Sequence, residues 1–442
     1  MLAHVLTFSA ECDDHFFAEI PAAPAVFLLR GDGEPYVSKT ANLRRRLQRM
    51  LGKPAEQSKR LNLRQRVREI QFTPTGSDFE SQFLLYKLLR TNFPKTYAAR
   101  LRLRPAPLIK LHLENEYPRA SVTTRLGKTT WGQPPSAVLS SEARQSDHLI
   151  SESTVPSQDS RGQLSPRGPN LYYGPFSSRL AAEKFASDAL DFFKMRRCVD
   201  DLRPDPSFPG CVYSEMKMCI APCYKGCTDE EYHTEVSRVQ AFFDTGGESL
   251  MRELIEQREQ ASSRLAFEDA AAIHAKIDKL KHLISQLSEI VQPLDRLQAI
   301  IVQPSAEVGT VSLFCFSSGI LHGPAAFEVA RSLMTTNSAD GANGDRVSAA
   351  LPKHIPMESR VQEVIQNISD EYAQSTTEIT EHLAILKRWY YRSHRIGEIF
   401  FADRRGTWPL RRIVRGIGRI YSGEKPQESP IFSATQPLLP PS

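Results

Sequence analysis

The chain has 442 residues, of which 40% are hydrophobic and 24% charged, and its net charge is +5. This length fits about two to four domains of an ordinary globular protein. No apolar run approaches the ~18 residues that a bilayer-spanning helix needs, which excludes a membrane protein. The N-terminus has no basic region ahead of its apolar stretch, so no secretory signal is predicted and the cytoplasm is the expected compartment.

Basic residues concentrate in two stretches. Residues 30–70 hold twelve Lys or Arg against four Asp or Glu, and residues 387–419 hold ten against two. A single basic run is usually a solvated helix face. Two Arg-rich stretches, the second beside Trp389, Tyr390 and Tyr391, favour a polyanionic partner, with nucleic acid as the leading candidate.

The first predicted domain, residues 14–104, is a small α/β unit. Its pattern is strand, turn, strand, Arg-rich helix, followed by a strand at 69–73 and a helix at 78–91. Pro105 and Pro107 close this unit.

Strand-like alternation continues to residue 128, and the composition then changes. Residues 129–169 are rich in Ser, Gln, Pro and Gly and contain few large apolar residues. Such a segment buries too little surface to offset its chain entropy, so a disordered insert is predicted. The flanking segments, 105–128 and 170–235, together form a cysteine-rich region.

The remainder divides into a helical part and a strand-rich part. Residues 246–290 are predicted to form a helical hairpin, and residues 293–421 begin as a β-meander and continue into helices. A flexible tail is predicted for 422–442. The fold class is therefore α/β, with a short antiparallel sheet, a cysteine-rich region, a helical hairpin and a C-terminal β-meander.

Four of the seven cysteines are clustered, with 12, 7 and 3 residues between them: Cys198, Cys211, Cys219 and Cys223. Clustered thiols in a cytoplasmic chain indicate a metal or a cluster rather than disulfides. Zinc and an iron–sulfur cluster both suit four thiolates, and the spacing matches neither common zinc pairs nor bacterial ferredoxins. The alternative is a set of buried small hydrophobic residues.

The region around these cysteines resembles that of the excision-repair subunit UvrC. The matching pieces are Tyr173-Gly174-Pro175-Phe176, Met195-Arg196-Arg197-Cys198, Cys211-Val212-Tyr213 and Cys219-Ile220-Ala221-Pro222-Cys223. The resemblance implies a [4Fe–4S] cluster bound by the four cysteines, with zinc as the alternative. Cys227 is additional to the family pattern.

The hairpin contains a second resemblance to the same family. Leu265-Ala266-Phe267-Glu268-Asp269-Ala270-Ala271 is similar to the UVR motif through which UvrC docks on UvrB. This implies a UvrB-like partner contacted by Leu265, Phe267, Glu268 and Ala271. The family has an Arg-Asp pair where this chain has His274 and Ala275, and the alternative is a hairpin that packs only on its own protein.

Residues 25–46 resemble the GIY-YIG endonuclease module. Ala25-Val26-Phe27 stands at the first triplet and Tyr36-Val37-Ser38 at the second. The resemblance assigns catalytic positions to Tyr36, Lys39 and Arg46.

Several positions depart from the nuclease pattern. Phe27 replaces a Tyr, Ser38 replaces a Gly, Tyr97 replaces an Asn, and Leu85 stands where the family has its metal-binding Glu. A one-metal phosphodiesterase needs that carboxylate to hold Mg²⁺, so Mg²⁺ is expected only if the nuclease is active.

Other carboxylates near the motif are candidate replacements. Glu80 lies about 140° around the helix from Leu85, so it should face elsewhere. Asp32 and Glu34 lie in the turn, and Asp78 is predicted to cap the helix.

The sequence therefore predicts a UvrC-like repair protein that binds DNA and a UvrB-type partner, with a weak or inactive nuclease site. One alternative is a metal-dependent endonuclease that makes a single incision beside lesions. Another is an iron–sulfur scaffold with no role on DNA. The resemblance covers residues 20–128 and 170–420, and the RNase H-like and helix–hairpin–helix units of the family have no counterpart in this sequence.

Overall fold

The computed structural model describes residues 2–53, 62–127, 169–199, 202–329, 356–368 and 375–424. The predicted insert lies outside the described residues except for residue 169. The predicted tail is described only for residues 422–424.

The described strands form three antiparallel sheets of four strands each. In chain order they are β1 (His4–Thr7), β2 (Ala25–Gly31), β3 (Tyr36–Thr40), β4 (Val67–Pro74), β5 (Leu108–Leu111), β6 (Ala120–Thr123), β7 (Leu171–Gly174), β8 (Gln292–Pro293), β9 (Ala299–Pro304), β10 (Thr310–Ser317), β11 (Ile320–Glu328) and β12 (Glu398–Phe401).

Helices cover the faces of these sheets. They are α1 (Asp14–Ala18), α2 (Leu43–Leu51), α3 (Asp78–Asn92), α4 (Tyr97–Leu101), α5 (Arg179–Leu190), α6 (Val212–Glu215), α7 (Asp229–Asp244), α8 (Glu248–Ser263), α9 (Phe267–Ser285), α10 (Met357–Ile368), α11 (Thr376–Tyr390) and α12 (Leu410–Tyr421). The expected α/β class is confirmed. No described helix combines the length and the apolar character needed to cross a bilayer.

The first sheet has the order β1-β4-β2-β3 and contains the predicted strand, turn, strand, helix pattern. Successive side chains of a strand point to opposite faces. Phe27 and Leu29 of β2 accordingly lie in one core with Leu43 and Leu47 of α2. Helix α3 packs on the other side, against β2 and β3. Strand β1 pairs with β4 and precedes the predicted start of this unit.

Helix α3 joins the first sheet to the C-terminal part of the chain. Its residue Phe79 packs edge-on against Phe314 of β10 and at a tilt on Trp389 of α11, each with ring centroids 5.0 Å apart. Phe83 and Tyr86 of α3 are buried in the same cluster. We call the hydrophobic cluster that contains these residues, together with others of β10 and α11, the α3 interface.

The start of α3 differs from the sequence prediction. Ser77 is the N-cap, since its side chain accepts a hydrogen bond from the Glu80 backbone N–H at 3.1 Å. The prediction that Asp78 caps the helix is therefore wrong. Ser and Asp are both good capping residues, so sequence alone does not separate neighbours of this kind.

The second sheet has the order β6-β5-β7-β8 and unites the two segments predicted to form the cysteine-rich region. Strand β5 pairs with β7 across the span that contains the insert. Helices α5, α7, α8 and α9 cover one face, with Phe185, Phe242 and Ile277 in their common core.

The third sheet, of order β11-β10-β9-β12, confirms the predicted β-meander. One face contributes to the α3 interface, and the other packs on α10 and α12. Glu398 of β12 accepts two hydrogen bonds from Arg419 of α12, at 2.8 and 2.6 Å, which ties the last described helix to the sheet.

Buried His382 makes stability depend on pH. Its side chain is 3% exposed, and its Nδ1 accepts a hydrogen bond from the Leu321 backbone N–H at 3.0 Å. Burial lowers the pKa of His382 to about 3. An unfolded His has a pKa of about 6.5, so below that pH the unfolded chain binds a proton that the folded chain excludes. The contribution of His382 to the free energy of unfolding is fully present above pH ~6.5. It decreases between pH ~6.5 and pH ~3, by up to about 1.4 kcal/mol per pH unit.

Urea unfolding of wild type and His382→Gln at neutral and mildly acidic pH measures this effect. The variant should lose less of its unfolding free energy on acidification than wild type does. His282→Gln, a change at an exposed histidine, is the control and should behave as wild type. Equal losses in wild type and His382→Gln would contradict the assignment.

Candidate functional site

The structure brings together only two of the three residues expected from the GIY-YIG resemblance. Arg46 Nη2 donates a hydrogen bond to Tyr36 Oη at 3.0 Å. Asn42 N-caps α2 by accepting a hydrogen bond from the Arg45 backbone N–H at 2.9 Å, which fixes the turn that carries Arg46. Tyr36 and Arg46 therefore form one small polar unit beside the core shared with α2.

Lys39 lies on the other side of the strand. It follows Tyr36 by three positions, an odd offset, so the two side chains leave β3 on opposite faces. Tyr36 packs against the core shared with α2, whereas Val37 packs against the α3 interface. Lys39, on the same face as Val37, reaches Asp78 at the start of α3, with Nζ 2.5 Å from Oδ1.

Asp78 binds a second cation from a distant part of the chain. Its Oδ2 lies 2.5 Å from Nη1 of Arg392, which follows α11. Partial burial would raise the pKa of Asp78, but the hydrogen bonds and charges of Lys39 and Arg392 outweigh it and lower that pKa. Asp78 is therefore ionised at neutral pH.

The altered triplet positions are accommodated by the sheet. Phe27 is fully buried, its ring centroid lies 6.1 Å from that of Tyr36, and it pairs in register with Ser38. The Ser38 hydroxyl donates to the Lys39 carbonyl at 3.3 Å. Phe27 thus serves as a core residue, and Ser38 fits a regular strand.

The other two altered positions contribute to internal contacts of the chain. Leu85 is half-buried and packs against the hydrophobic cluster of the α3 interface. Tyr97 donates a hydrogen bond to Glu381 of α11 at 2.8 Å, and Tyr86 donates to the same carboxylate at 2.9 Å. Where the nuclease pattern calls for Glu and Asn, this chain has residues that stabilise an internal contact.

The candidate replacement carboxylates all have partners. Asp32 pairs with Arg68 at 3.0 Å, and Glu34 pairs with Arg100 at 2.6 Å. Glu80 is 8% exposed and accepts a hydrogen bond from the Gly76 backbone N–H at 2.9 Å, so it turns back from the motif as its helical position predicts. Burial raises the pKa of Glu80.

Residues within the basic stretches have different roles. Arg64 is 6% exposed and donates to the carbonyls of Ala10, Leu51 and Cys12, so it is structural. By contrast, α12 buries an apolar stripe and leaves arginines exposed on its outer face: Arg411, Arg412 and Arg415. A charge count alone does not separate these two groups.

The four clustered cysteines occupy one loop region and are all half-buried. Burial raises the pKa of the Cys219 thiol to about 11; the Ala221 N–H, 3.3 Å from its Sγ, opposes the rise, and the other three thiols add to it. The Cys219 thiol thus interacts electrostatically with the other three thiols.

The donor chemistry of this loop suits a thiolate-bound group. Arg196 is 2% exposed, and its Nη1 lies 3.5 Å from Cys198 Sγ, so a cation already faces one of the sulfurs. Among the described residues, however, no three His, Cys, Asp or Glu side chains are placed to hold a metal ion.

The helical hairpin exposes the residues expected to bind a partner. Leu265 and Phe267, at the turn between α8 and α9, are 72% and 66% exposed. Glu268 and Ala271 are exposed beside them. The base of the hairpin is anchored by buried apolar residues, so its tip projects with an apolar surface.

The middle of the chain matches a model of a known protein family. Residues 149–242, which include the four clustered cysteines, match the family model "UvrC/Cho excinuclease, middle domain". No solved structure matches the chain.

The chain is also similar to several proteins named UvrABC system protein C. That of Rickettsia rickettsii (strain Sheila Smith) is 26% identical over 262 residues, which is 59% of this chain and 35% of the relative. That of Idiomarina loihiensis is 24% identical over 270 residues, 61% of this chain and 37% of the relative. That of Proteus mirabilis is 31% identical over 160 residues, 35% of this chain and 25% of the relative. The chain thus spans about a third of the length of the relatives that it matches most extensively.

Proposed function

We propose that this UvrC-like chain is a nucleotide-excision-repair protein that binds DNA and a UvrB-type partner and does not itself cut DNA efficiently. The single observation that carries the last point is Leu85. It stands at the position expected to hold the catalytic metal, and it packs against the α3 interface.

DNA binding is supported by the exposed cations. Arg45 and Arg49 of α2 and the outer arginines of α12 are exposed. Contacts of Arg and Lys with backbone phosphates need no metal and account for most non-specific affinity. These exposed cations argue against the alternative of an iron–sulfur scaffold with no role on DNA.

Loss of cutting is supported by the separation of the motif residues. Metal-dependent phosphodiester hydrolysis needs a metal carboxylate, an activated water and cations around one phosphate. Here Tyr36 and Arg46 lie on one face of β3 and Lys39 on the other.

The alternative function is an active endonuclease that makes a single incision. It is favoured by one observation, the contact of Asp78 with Lys39, which places a carboxylate beside a motif residue. Asp78 would then have to replace the missing Glu while two cations already neutralise it.

We further propose that Cys198, Cys211, Cys219 and Cys223 hold a [4Fe–4S] cluster, with zinc as the alternative. Such a group would fasten the loop that carries the four cysteines, and a cluster would add redox chemistry that zinc lacks. The buried guanidinium of Arg196 would balance negative charge at Cys198.

The partner proposal rests on the hairpin tip. Exposed Leu265 and Phe267 give a compact apolar surface, and a few such anchors usually carry most of the binding energy of an interface. A second helical hairpin with a complementary apolar groove would bury both side chains.

The incision proposal is tested with purified protein, a lesion-containing duplex and Mg²⁺ or Mn²⁺, alone and with UvrA and UvrB. We expect binding that weakens as salt rises, because phosphate contacts release counterions. We expect no nick that depends on Tyr36. A nick that Tyr36→Phe abolishes, and that the exposed-tyrosine control Tyr421→Phe retains, would overturn the inactive assignment in favour of the endonuclease.

The cluster proposal is tested by absorbance of anaerobically purified protein. A [4Fe–4S] cluster should give a brown chromophore that bleaches on reduction, whereas zinc is colourless. Cys219→Ser should lose the chromophore, while Cys12→Ser and Cys227→Ser should keep it. A colourless wild-type protein with bound zinc would refute the cluster and support zinc. A wild-type protein without any bound metal would refute both.

The partner proposal is tested by calorimetric titration with UvrB. Phe267→Ser should weaken binding about tenfold or more, the size of effect expected at an interface anchor. Leu180→Ser removes a leucine that is 75% exposed on α5 and is the matched control. Binding unaffected by Phe267→Ser, or lost equally in both variants, would refute docking through the tip.

A further inference from the structure

We propose that Asp78 occupies a phosphate-binding position, where its carboxylate takes the place of a DNA backbone phosphate between Lys39 and Arg392. DNA binding displaces Asp78 from these two cations. The proposal rests on the proposed DNA binding and adds to it a specific site, a residue from the C-terminal part of the chain and an internal competitor.

The contact geometry is that of an anion held by two cations. Each oxygen of the Asp78 carboxylate lies 2.5 Å from a nitrogen, one from Lys39 and one from Arg392. A phosphate offers the same acceptor arrangement with a further oxygen, and it pairs with Arg and Lys in the same way.

The backbone segments that carry the two cations are held near each other by packing. Phe79, next to Asp78, is buried between Phe314 and Trp389, and Arg392 lies three residues after Trp389. The backbone positions from which Lys39 and Arg392 extend are therefore set by the packing of α3 on β3 and α11 and do not depend on Asp78 alone. If Asp78 swings away, both side chains stay within reach of the same point.

The site is open to solvent and has excess positive charge. The side chains of Lys39, Asp78 and Arg392 are 28%, 46% and 41% exposed. Arg388, one helical turn before Arg392, is exposed and lines the same small cleft as Asp78. One carboxylate thus faces three cations, and the surface keeps a net positive charge with Asp78 in place.

The strength of the internal contact permits displacement. Ion pairs with this exposure are weak and screened by salt, because water solvates the separated charges well. Asp78 is ionised at neutral pH, so it competes with phosphate without preventing its binding. Removing the charge of Asp78 should release two cations for DNA.

The test is fluorescence anisotropy of the full chain with a labelled duplex over a series of salt concentrations. Asp78→Asn should tighten DNA binding by about threefold to tenfold, the range expected from freeing two exposed ion pairs. The logarithmic salt slope should become steeper by roughly one phosphate contact. The matched control is Asp32→Asn, which removes the same charge from an exposed pair with Arg68 on the same unit.

Further variants locate the effect and guard against misfolding. Arg392→Gln should weaken binding, and the loss should be larger in the Asp78→Asn background. Arg388→Gln leaves the Asp78 contacts intact and should weaken binding and flatten the salt slope. Thermal unfolding of every variant identifies changes that arise from lost structure, and Arg388→Gln decides the question if Asp78→Asn unfolds.

The outcomes separate this proposal from the proposed function. Wild-type binding that falls with salt, combined with equal effects of Asp78→Asn and Asp32→Asn, would overturn the Asp78 proposal and leave DNA binding standing. Unchanged DNA affinity in both Arg392→Gln and Arg388→Gln would also overturn the Asp78 proposal and leave DNA binding standing. A wild-type protein that does not bind DNA would overturn both.

Discussion

Packing of Phe79 between Phe314 and Trp389 is the contact on which the rest of the structure depends. It places α3 against the third sheet and α11 while the same helix lies on β2 and β3. The unit that resembles a nuclease and the C-terminal β-meander thus share one hydrophobic cluster. At typical transfer values, burial of several aromatic rings at one contact contributes several kcal/mol to the free energy of unfolding. This contribution holds α3 against β10 and α11.

This contact also explains the chemistry of the altered nuclease positions. The GIY-YIG pattern places a metal-binding Glu on a helix after the Arg-rich one, at the position of Leu85 in α3. Here the same helix presents Leu85 to a hydrophobic cluster, while Tyr97 just beyond it donates to Glu381. Leu85 and Tyr97, which differ from the nuclease pattern, thus both take part in internal contacts. Lys39 remains as a cation, but it faces Asp78 and lies away from Tyr36 and Arg46.

Local patterns predicted the elements well and the long-range contacts poorly. The strand, turn, strand, helix order of the first unit, the helical hairpin and the β-meander follow from periodicity and turn residues, and the structure contains each of them. The α3 interface joins residues such as Tyr86 and Glu381, which are 295 positions apart, so no local pattern reports it. The structural role of Arg64 was not predicted because its partners are backbone carbonyls. Every residue has a backbone carbonyl, so the sequence does not show which ones Arg64 contacts. The contacts of Asp78 with Lys39 and Arg392 were not predicted, because both cations lie far from it in the chain.

Leu85, at the position where the nuclease pattern has a metal-binding Glu, packs against the hydrophobic cluster of the α3 interface. The most direct measurement is the free energy of unfolding of Leu85→Glu, compared with Thr91→Glu at an exposed position of the same helix. A carboxylate introduced into the hydrophobic cluster should lower the stability by about 1–3 kcal/mol, while the exposed change should have little effect. A Leu85→Glu protein as stable as wild type would contradict the account, because it would show that this position contributes nothing to the α3 interface.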